Sequence, residues 1–453
     1  MRSLVLLARR IQLSLALLAL LISYSAFSES KVDLDPTFAD GGVAKIVFGS
    51  GKSWASTGLT QPDGKIIVVG SIEYKGHIGA IALTRTDPNG KPDHRFGNKG
   101  VVITKVGVNS RSTAVGLMPD GRLVVAGWAY VEKGKEGITL AMYNVDGTLD
   151  SRFGDRGLLI FPMEYSTAYV YTLAVQSDGK IVIGGKITIQ KEYRDSAGLF
   201  IRSVPDDYVF LARLNGNGSF DASFGTNRVV VTDVGGGSIK ITGLALQLDG
   251  KLIATGTRYK KPNSTIVLAR YNANGSLDKS FGVEGQANRT MEKGWYGSPT
   301  ISTLPDGRIL LICGYSLEGE SWLSLTQLHV DGSPDFAFGE NGTITKKTKF
   351  RSYIDFIPVK QPDGKILISG MSLRPPMPGK SQPPFYYSFG IARFLPTGDA
   401  DNSFGQAGMH VVSIGDITDS PAYMTAQDNG RIIIAGHSDN EVTQHVVIVG
   451  LLP

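Results

Sequence analysis

QPDGKIIVVG, Gln61 to Gly70, returns almost unchanged as QPDGKILISG, Gln361 to Gly370. A decamer written twice at such a distance is either a duplicated site or one copy of a structural unit, and the rest of the chain decides between them. Its turn, Asp63-Gly64, reappears at Asp120-Gly121, Asp178-Gly179, Asp249-Gly250, Asp306-Gly307 and Asp363-Gly364, with Asn429-Gly430 as a seventh copy. A basic residue follows each: Lys65, Arg122, Lys180, Lys251, Arg308, Lys365 and Arg431. Four or five mostly apolar, β-branched-rich residues come next. Asp-Gly or Asn-Gly between two apolar runs predicts a hairpin whose two central residues prefer positive φ.

A second phrase, as in NVDGTLDSRFG (Asn144–Gly154) and NANGSLDKSFG (Asn272–Gly282), follows the first six copies. Its phenylalanine recurs at Phe38, Phe96, Phe153, Phe224, Phe281, Phe338 and Phe404. Three residues before each stands an aspartate: Asp35, Asp93, Asp150, Asp221, Asp278, Asp335 and Asp401. The period is 57 or 58 residues, apart from steps of 71 and 66. Each period holds four short strand candidates, in the second GVVITKV, STAVGLM, RLVVAGWAY and ITLAMYN, and no stretch sustains a helical period. The expectation is an all-β, seven-bladed β-propeller of four-stranded antiparallel blades. A β-solenoid competes less well, since its rungs are shorter and lack regular hairpins. The first Phe phrase has no blade before it and the last period has none after it. The strand near Gly42–Phe48 is therefore expected to complete the last blade, closing the ring and removing an open edge.

Composition agrees with one folded domain over residues 29–453: 42% hydrophobic, 19% charged and 56 glycines among 453 residues. Residues 1–28 read as a signal peptide, with Arg2, Arg9 and Arg10 before an apolar run from Ile11 to Ala26. That run is short of the ~20 residues of a spanning helix, so cleavage and export are expected, with no membrane span left. The remainder carries 43 basic and 41 acidic residues, no footprint for nucleic acid. Cys313 is the only cysteine, so no internal disulfide forms, and its apolar neighbours mark a buried thiol.

The QPDGKIIVVG and LARYNANGSLDKSFG phrases together resemble the bacterial delta-60 repeat family of exported, propeller-like repeat proteins. The resemblance spans residues 33–453 and implies fold and export, but no activity. Ala39 stands where the pattern has glycine after the first Phe, Arg228 replaces another glycine, and LPTGDADNSFG carries a Thr-Gly turn.

The Asp-rich turns invite a calcium reading, yet each period offers about one fixed Asp, whereas calcium wants six to eight oxygens. Two structural partners compete for it: the turn backbone, and an arginine of a neighbouring strand, Arg85, Arg213, Arg270 or Arg393. No cofactor is expected. The six histidines, 77, 94, 329, 410, 437 and 445, show no metal spacing. The phenylalanines are expected to pack between blades, and Gln61, Gln176, Gln247, Gln361 and Gln427 to bridge blades near the centre.

Two long periods carry insertions, Lys186–Phe210 in the third blade and Met371–Phe389 in the sixth, in equivalent loops and hence on one face. They bring Tyr193, Arg194, Phe200, Arg202, Tyr208, Arg374, Phe385, Tyr386 and Tyr387, expected as exposed binding-loop residues. The main reading is a non-catalytic module, monomeric, taking a protein or glycan partner on that face. A channel enzyme of quinoprotein-dehydrogenase or carbohydrate-active type is the alternative, with Asp355 and Asp419 as the carboxylates to test. A purely structural envelope element is the third.

Overall fold

The computed structural model describes residues 34–49, 51–74, 77–132, 135–161, 167–194, 196–197, 199–226, 228–260, 263–291, 295–348, 350, 356–374, 386–415, 417–440 and 443–453. The signal segment lies outside them, as do Phe385 and Asp355. The described residues form strands and turns with no helix. Four four-stranded antiparallel sheets follow one another. They are Ser53–Thr60, Ile66–Tyr74, His77–Thr86 and Val101–Thr104; Asn109–Leu117, Leu123–Glu132, Lys135–Tyr143 and Leu158–Phe161; Thr167–Val175, Ile181–Arg194, Phe200–Leu214 and Val229–Thr232; and Ser238–Leu246, Leu252–Lys260, Asn263–Tyr271 and Arg289–Met291. In the fifth, Trp295–Tyr296 and Thr300–Thr303 both pair with Ile309–Leu317, followed by Glu320–Leu328 and Thr343–Lys347.

The last sheet has eight strands. One half is Ile357–Lys360, Ile366–Arg374, Tyr386–Phe394 and Met409–Val412; the other is Thr418–Ala426, Ile432–Asp439, Gln444–Leu451 and Val43–Ile46. A single parallel bridge, Tyr387 to Thr418, joins the halves. Val43–Ile46 pairs antiparallel with the C-terminal strand, Val43 opposite Val449.

The repeated decamer forms its hairpin by a longer turn than the two-residue one expected. Gly64 alone has positive φ, at 79°, while Asp63 does not. Gly64 N–H donates to the Gln61 carbonyl at 2.9 Å, Gln61 N–H to Lys65 at 2.8 Å, and the Asp63 carboxylate accepts from Lys65 N–H at 3.3 Å. Pro62 suits the second position of such a turn because its φ is already near the required value.

The closing glycine of the decamer has a different task. The first strands bulge at Ser56, Thr113, Tyr171, Thr242 and Ala422. Opposite each bulge lies a glycine, and a Cβ there would stand 2.0 Å from the Trp54 carbonyl oxygen at Gly70 and 1.8 Å from that of Tyr169 at Gly185. Cys313 occupies the corresponding position of the fifth sheet, and there the first strand is interrupted between Tyr296 and Thr300. A side chain under a bulged carbonyl has no room, so the strand parts instead.

Packing is between sheets. Each buried cluster of the described residues joins one four-strand set to the next: Ile67, Leu83 and Phe96 meet Leu123 and Tyr143, and Ile66 and Val68 meet Ile433 and Ile448 of the last set. The first strands Ser53–Thr60, Asn109–Leu117, Thr167–Val175, Ser238–Leu246, Thr300–Thr303, Ile357–Lys360 and Thr418–Ala426 lie each against the next, and the last against the first. Every set thus has a turn end, with the Asp-Gly turn and the Phe phrase, and a loop end, where its first strand begins.

Candidate functional site

At the turn end the recurring aspartates are fully engaged. One oxygen of each accepts the backbone N–H two residues on, from Thr37, Arg95, Arg152, Ser223, Ser280, Ala337 and Ser403 at 2.8–3.1 Å. The other accepts an arginine at 2.6–2.9 Å. Arg85, Arg213, Arg270 and Arg393 do pair with the aspartate eight residues on. Where their position holds Met142, Gln327 or Gly450, the arginine comes from the residue after the Asp-Gly turn, Arg122, Arg308 or Arg431. Where the strand supplies arginine, that turn residue is Lys65, Lys180, Lys251 or Lys365. Each aspartate thus receives an arginine from one of two places, and Asp150 takes a second from Arg152 at 2.8 Å. Hydrogen bonds from Gln327 and Arg308 lower the Asp335 pKa to about 2.

Arg85, Arg213, Arg270, Arg393 and Arg431 also lie over the phrase phenylalanine, Arg270 4.7 Å from the Phe281 ring centre and Arg393 4.4 Å from Phe404. Each of these rings meets the following set. A Cβ on Gly275 would fall 3.1 Å from Phe224, and one on Gly332 2.7 Å from Phe281. Phe38 packs likewise on Gly90. Gln427 reaches the neighbouring set, donating to the Pro88 carbonyl at 2.9 Å, while the Oε1 atoms of Gln61, Gln176, Gln247 and Gln361 have no partner among the described residues. Both oxygens of each of these aspartates already accept hydrogen bonds. Among the described residues no three His, Cys, Asp or Glu side chains converge.

The loop end is assembled from residues that differ between copies. The Ile181–Arg194 and Phe200–Leu214 strands pair continuously past the start of their sheet, so the first insertion is an extended hairpin rather than a loop. Arg194 donates to Glu192 at 2.7 Å and is exposed, and the Tyr193 backbone pairs with Arg202. Tyr208 packs on the cluster below, whereas Phe200 is 56% exposed beside Leu199, Ile201 and Val204, which the sequence reading passed over. The second insertion corrects that reading. Tyr386, Tyr387 and Arg374 are buried, because their strands lie inside the eight-stranded sheet. Arg374 donates to the Gly415 carbonyl at 2.9 Å and sits over the Tyr386 ring. The register puts both insertions at the loop end, since Arg374 pairs with Tyr386 beyond the Ile357–Ser369 pair.

On five of the first strands, Trp54, Arg111, Tyr169, Lys240 and Ser420 hold one register position, each two residues before the bulge. The Arg111 guanidinium lies 5.7 Å from the Trp54 ring centre. Its side chain is accessible, and desolvation by the surrounding protein lowers its pKa. His437, opposite Ser420, is pushed down to about 4 by burial, with the Arg111 charge adding to it. Tyr169 and Tyr171 stack with centres 6.1 Å apart. Lys186, across from Tyr169, donates to Asp207 at 2.9 Å, which also accepts from Thr188 at 2.7 Å. Lys240 donates to Ser298 at 2.9 Å. Asp419 is fully buried, its two oxygens accepting the Ile414 and Gly415 N–H groups at 2.8 and 2.9 Å. Two grooves of about 570 and 690 Å³ lie elsewhere, along the outer strand Val43–Ile46, and carry only Asp40 and lysines as charged groups.

No curated protein matches the chain. Among solved structures it is similar to a protein of unknown function from Dyadobacter fermentans, 13% identical over 91% of this chain and 100% of that one, with a TM-score of 0.44. An α-L-arabinanase of Penicillium chrysogenum is 10% identical over 91% of this chain and 99% of that one, TM-score 0.40. Drosophila Semaphorin 1b extracellular domains are 9% identical over 92% and 87%, TM-score 0.41. Segments 61–96, 119–153, 197–224 and 247–281 match the family model described as "Domain of unknown function (DUF5122) beta-propeller". With the successive antiparallel sheets, these matches support a β-propeller repeat family for this chain.

Proposed function

We propose that this chain is an exported, seven-bladed β-propeller of the delta-60 kind, its ring closed by the N-terminal strand, and that it binds an envelope or extracellular ligand without transforming it. The closure reading is supported by Val43–Ile46 pairing with the last strand and by Arg431 holding Asp35 across the two ends of the chain. The observation that carries the binding reading is the contrast between the ends. The turn end repeats one hydrogen-bond pattern in every set, while the projecting hairpin and the unlike residues Trp54, Arg111, Tyr169 and Lys240 share the loop end. Recognition belongs where the copies differ, on surfaces that a rigid frame positions. Asp419 is committed to backbone donors, which favours binding over acid–base chemistry.

The test is capture of envelope material by the chain without residues 1–28. A Leu199→Ser/Phe200→Ser/Ile201→Ser variant combined with Arg111→Ala should lose capture, and Leu248→Ser, 90% exposed at the turn end, should keep it. The reverse pattern would overturn the proposal.

A further inference from the structure

We propose that the loop-end mouth takes a carboxylate-bearing saccharide, a chain containing uronic acid, with Arg111 binding the carboxylate and aromatic faces on the two flanking strands receiving the sugar rings. This rests on the binding reading above and names its ligand. Arg111 breaks the rule that the turn-end arginines follow. Each of those holds a carboxylate, whereas Arg111 has no ion pair among the described residues and is seated against the Trp54 ring. An accessible guanidinium with no ion pair, seated against an aromatic ring, suits an anion, because an entering carboxylate can take two parallel charged hydrogen bonds from it.

Two carboxylates of this end are committed elsewhere. Asp207 is held by Lys186 and Thr188, and Asp419 by backbone N–H groups. Lys240, at the same register position, donates to Ser298, and His437 stays neutral at pH 7. The flanking strands then select among anions. Trp54 lies on one side of Arg111 and the stacked Tyr169–Tyr171 pair on the strand at the other side. Flat ring faces on both sides of one planar cation suit a chain whose own rings carry carboxylates. They suit an acidic peptide less, since its side chains would offer nothing to stack.

The experiment titrates the chain without residues 1–28 with tetragalacturonate, cellotetraose and pentaglutamate at pH 7, reading tryptophan fluorescence and calorimetric heat. Tetragalacturonate should bind and cellotetraose should not. Arg111→Ala should weaken binding at least about tenfold. Arg111→Lys should fall between, because a point charge replaces a planar fork. Melting temperature checks that both variants fold, and Trp54→Phe should keep binding but lose most of the fluorescence change. Equal binding of cellotetraose, or an affinity indifferent to Arg111, overturns the inference. Binding of pentaglutamate in place of the uronate overturns the ligand class and leaves the binding module standing. If no oligomer binds while envelope capture through the hairpin persists, this inference alone fails; if capture is absent too, both readings fail.

Discussion

The two ends of this molecule are built from the same strands and obey opposite rules. At the turn end every set repeats an aspartate, a phenylalanine and an arginine on that aspartate, even though the arginine arrives from either of two places. At the loop end the same register position holds Trp54, Arg111, Tyr169, Lys240 and Ser420 in five sets. The conserved quantity at the turn end is therefore a contact and not a residue position. Such a frame tolerates movement of its parts as long as each buried carboxylate keeps a guanidinium. At the loop end the residues at this register position do not repeat such a contact.

Breaking the frame should have the largest effect. Phe224 is fully buried between two sets, and Phe224→Ala should lower stability by about 3–5 kcal/mol in denaturant titration. The exposed hairpin variant Phe200→Ser should stay within about 0.5 kcal/mol of the parent. Comparable losses at both positions would dissolve the distinction between the ends. Tyr386→Ala belongs with the frame, because its buried ring makes it a stability variant rather than a probe of binding.

The arginine rule allows a sharper test. Arg270→Met leaves the buried Asp278 with Lys251 and Ser280 only, and should be destabilising by about 2–4 kcal/mol. Adding Lys251→Arg recreates the arrangement of Arg122 and Met142 in the second set and should recover most of that loss. A double variant no more stable than the single one would show that the two sources of arginine are not interchangeable.

Acid should loosen the frame in two windows. His437 has a folded pKa of about 4, below its ordinary value, so the unfolded chain binds its proton first. That difference lowers stability as pH falls from about 6.5 to 4. The aspartates Asp150, Asp221, Asp278, Asp335 and Asp401 are held below the ordinary carboxylate range by their hydrogen bonds. Their contribution is complete above about pH 4 and is lost as pH falls through the folded values, for Asp335 near 2. His437→Phe should remove the first window and leave the second, as followed by thermal melting against pH.

The frame was legible in the sequence because it repeats. The Arg–Asp pairs follow from a spacing of eight residues, and the partner of the last strand from a Phe phrase with no blade before it. The mouth was not legible by the same means. Trp54, Arg111, Tyr169 and Lys240 share no residue type, and a search for repeated motifs discards the positions where copies disagree. One signal does mark them. Each stands sixteen residues before the glycine that faces its bulge: Gly70, Gly127, Gly185 and Gly256. Alignment on that glycine turns an unlike set into one register position. The burial of Tyr386 and Tyr387 was missed for another reason. A proline-rich approach reads as loop, and only the pairing partners on both sides show a central strand.

The smallest effect tests the frame at corners where another residue replaces the recurring glycine. Ala39 has φ 47°, where its counterparts Gly97, Gly154, Gly282 and Gly339 have 53–60°. Its N–H donates to the Asn89 carbonyl at 2.7 Å, so the contact is kept despite a backbone that disfavours a Cβ. Ala39→Gly removes strain of about 1 kcal/mol but gives the unfolded chain more freedom. The net should be a gain of about 0.5 kcal/mol, read as a small rise in melting temperature. Arg228, exposed at φ 74°, carries a longer side chain in the same left-handed region, and Arg228→Gly should gain slightly more. A loss at Ala39 would mean that its methyl packs usefully where the N-terminal segment meets both the first and last sets. The frame would then depend on sequence identity there, and the rule that contacts outrank residues would hold only away from the chain's ends.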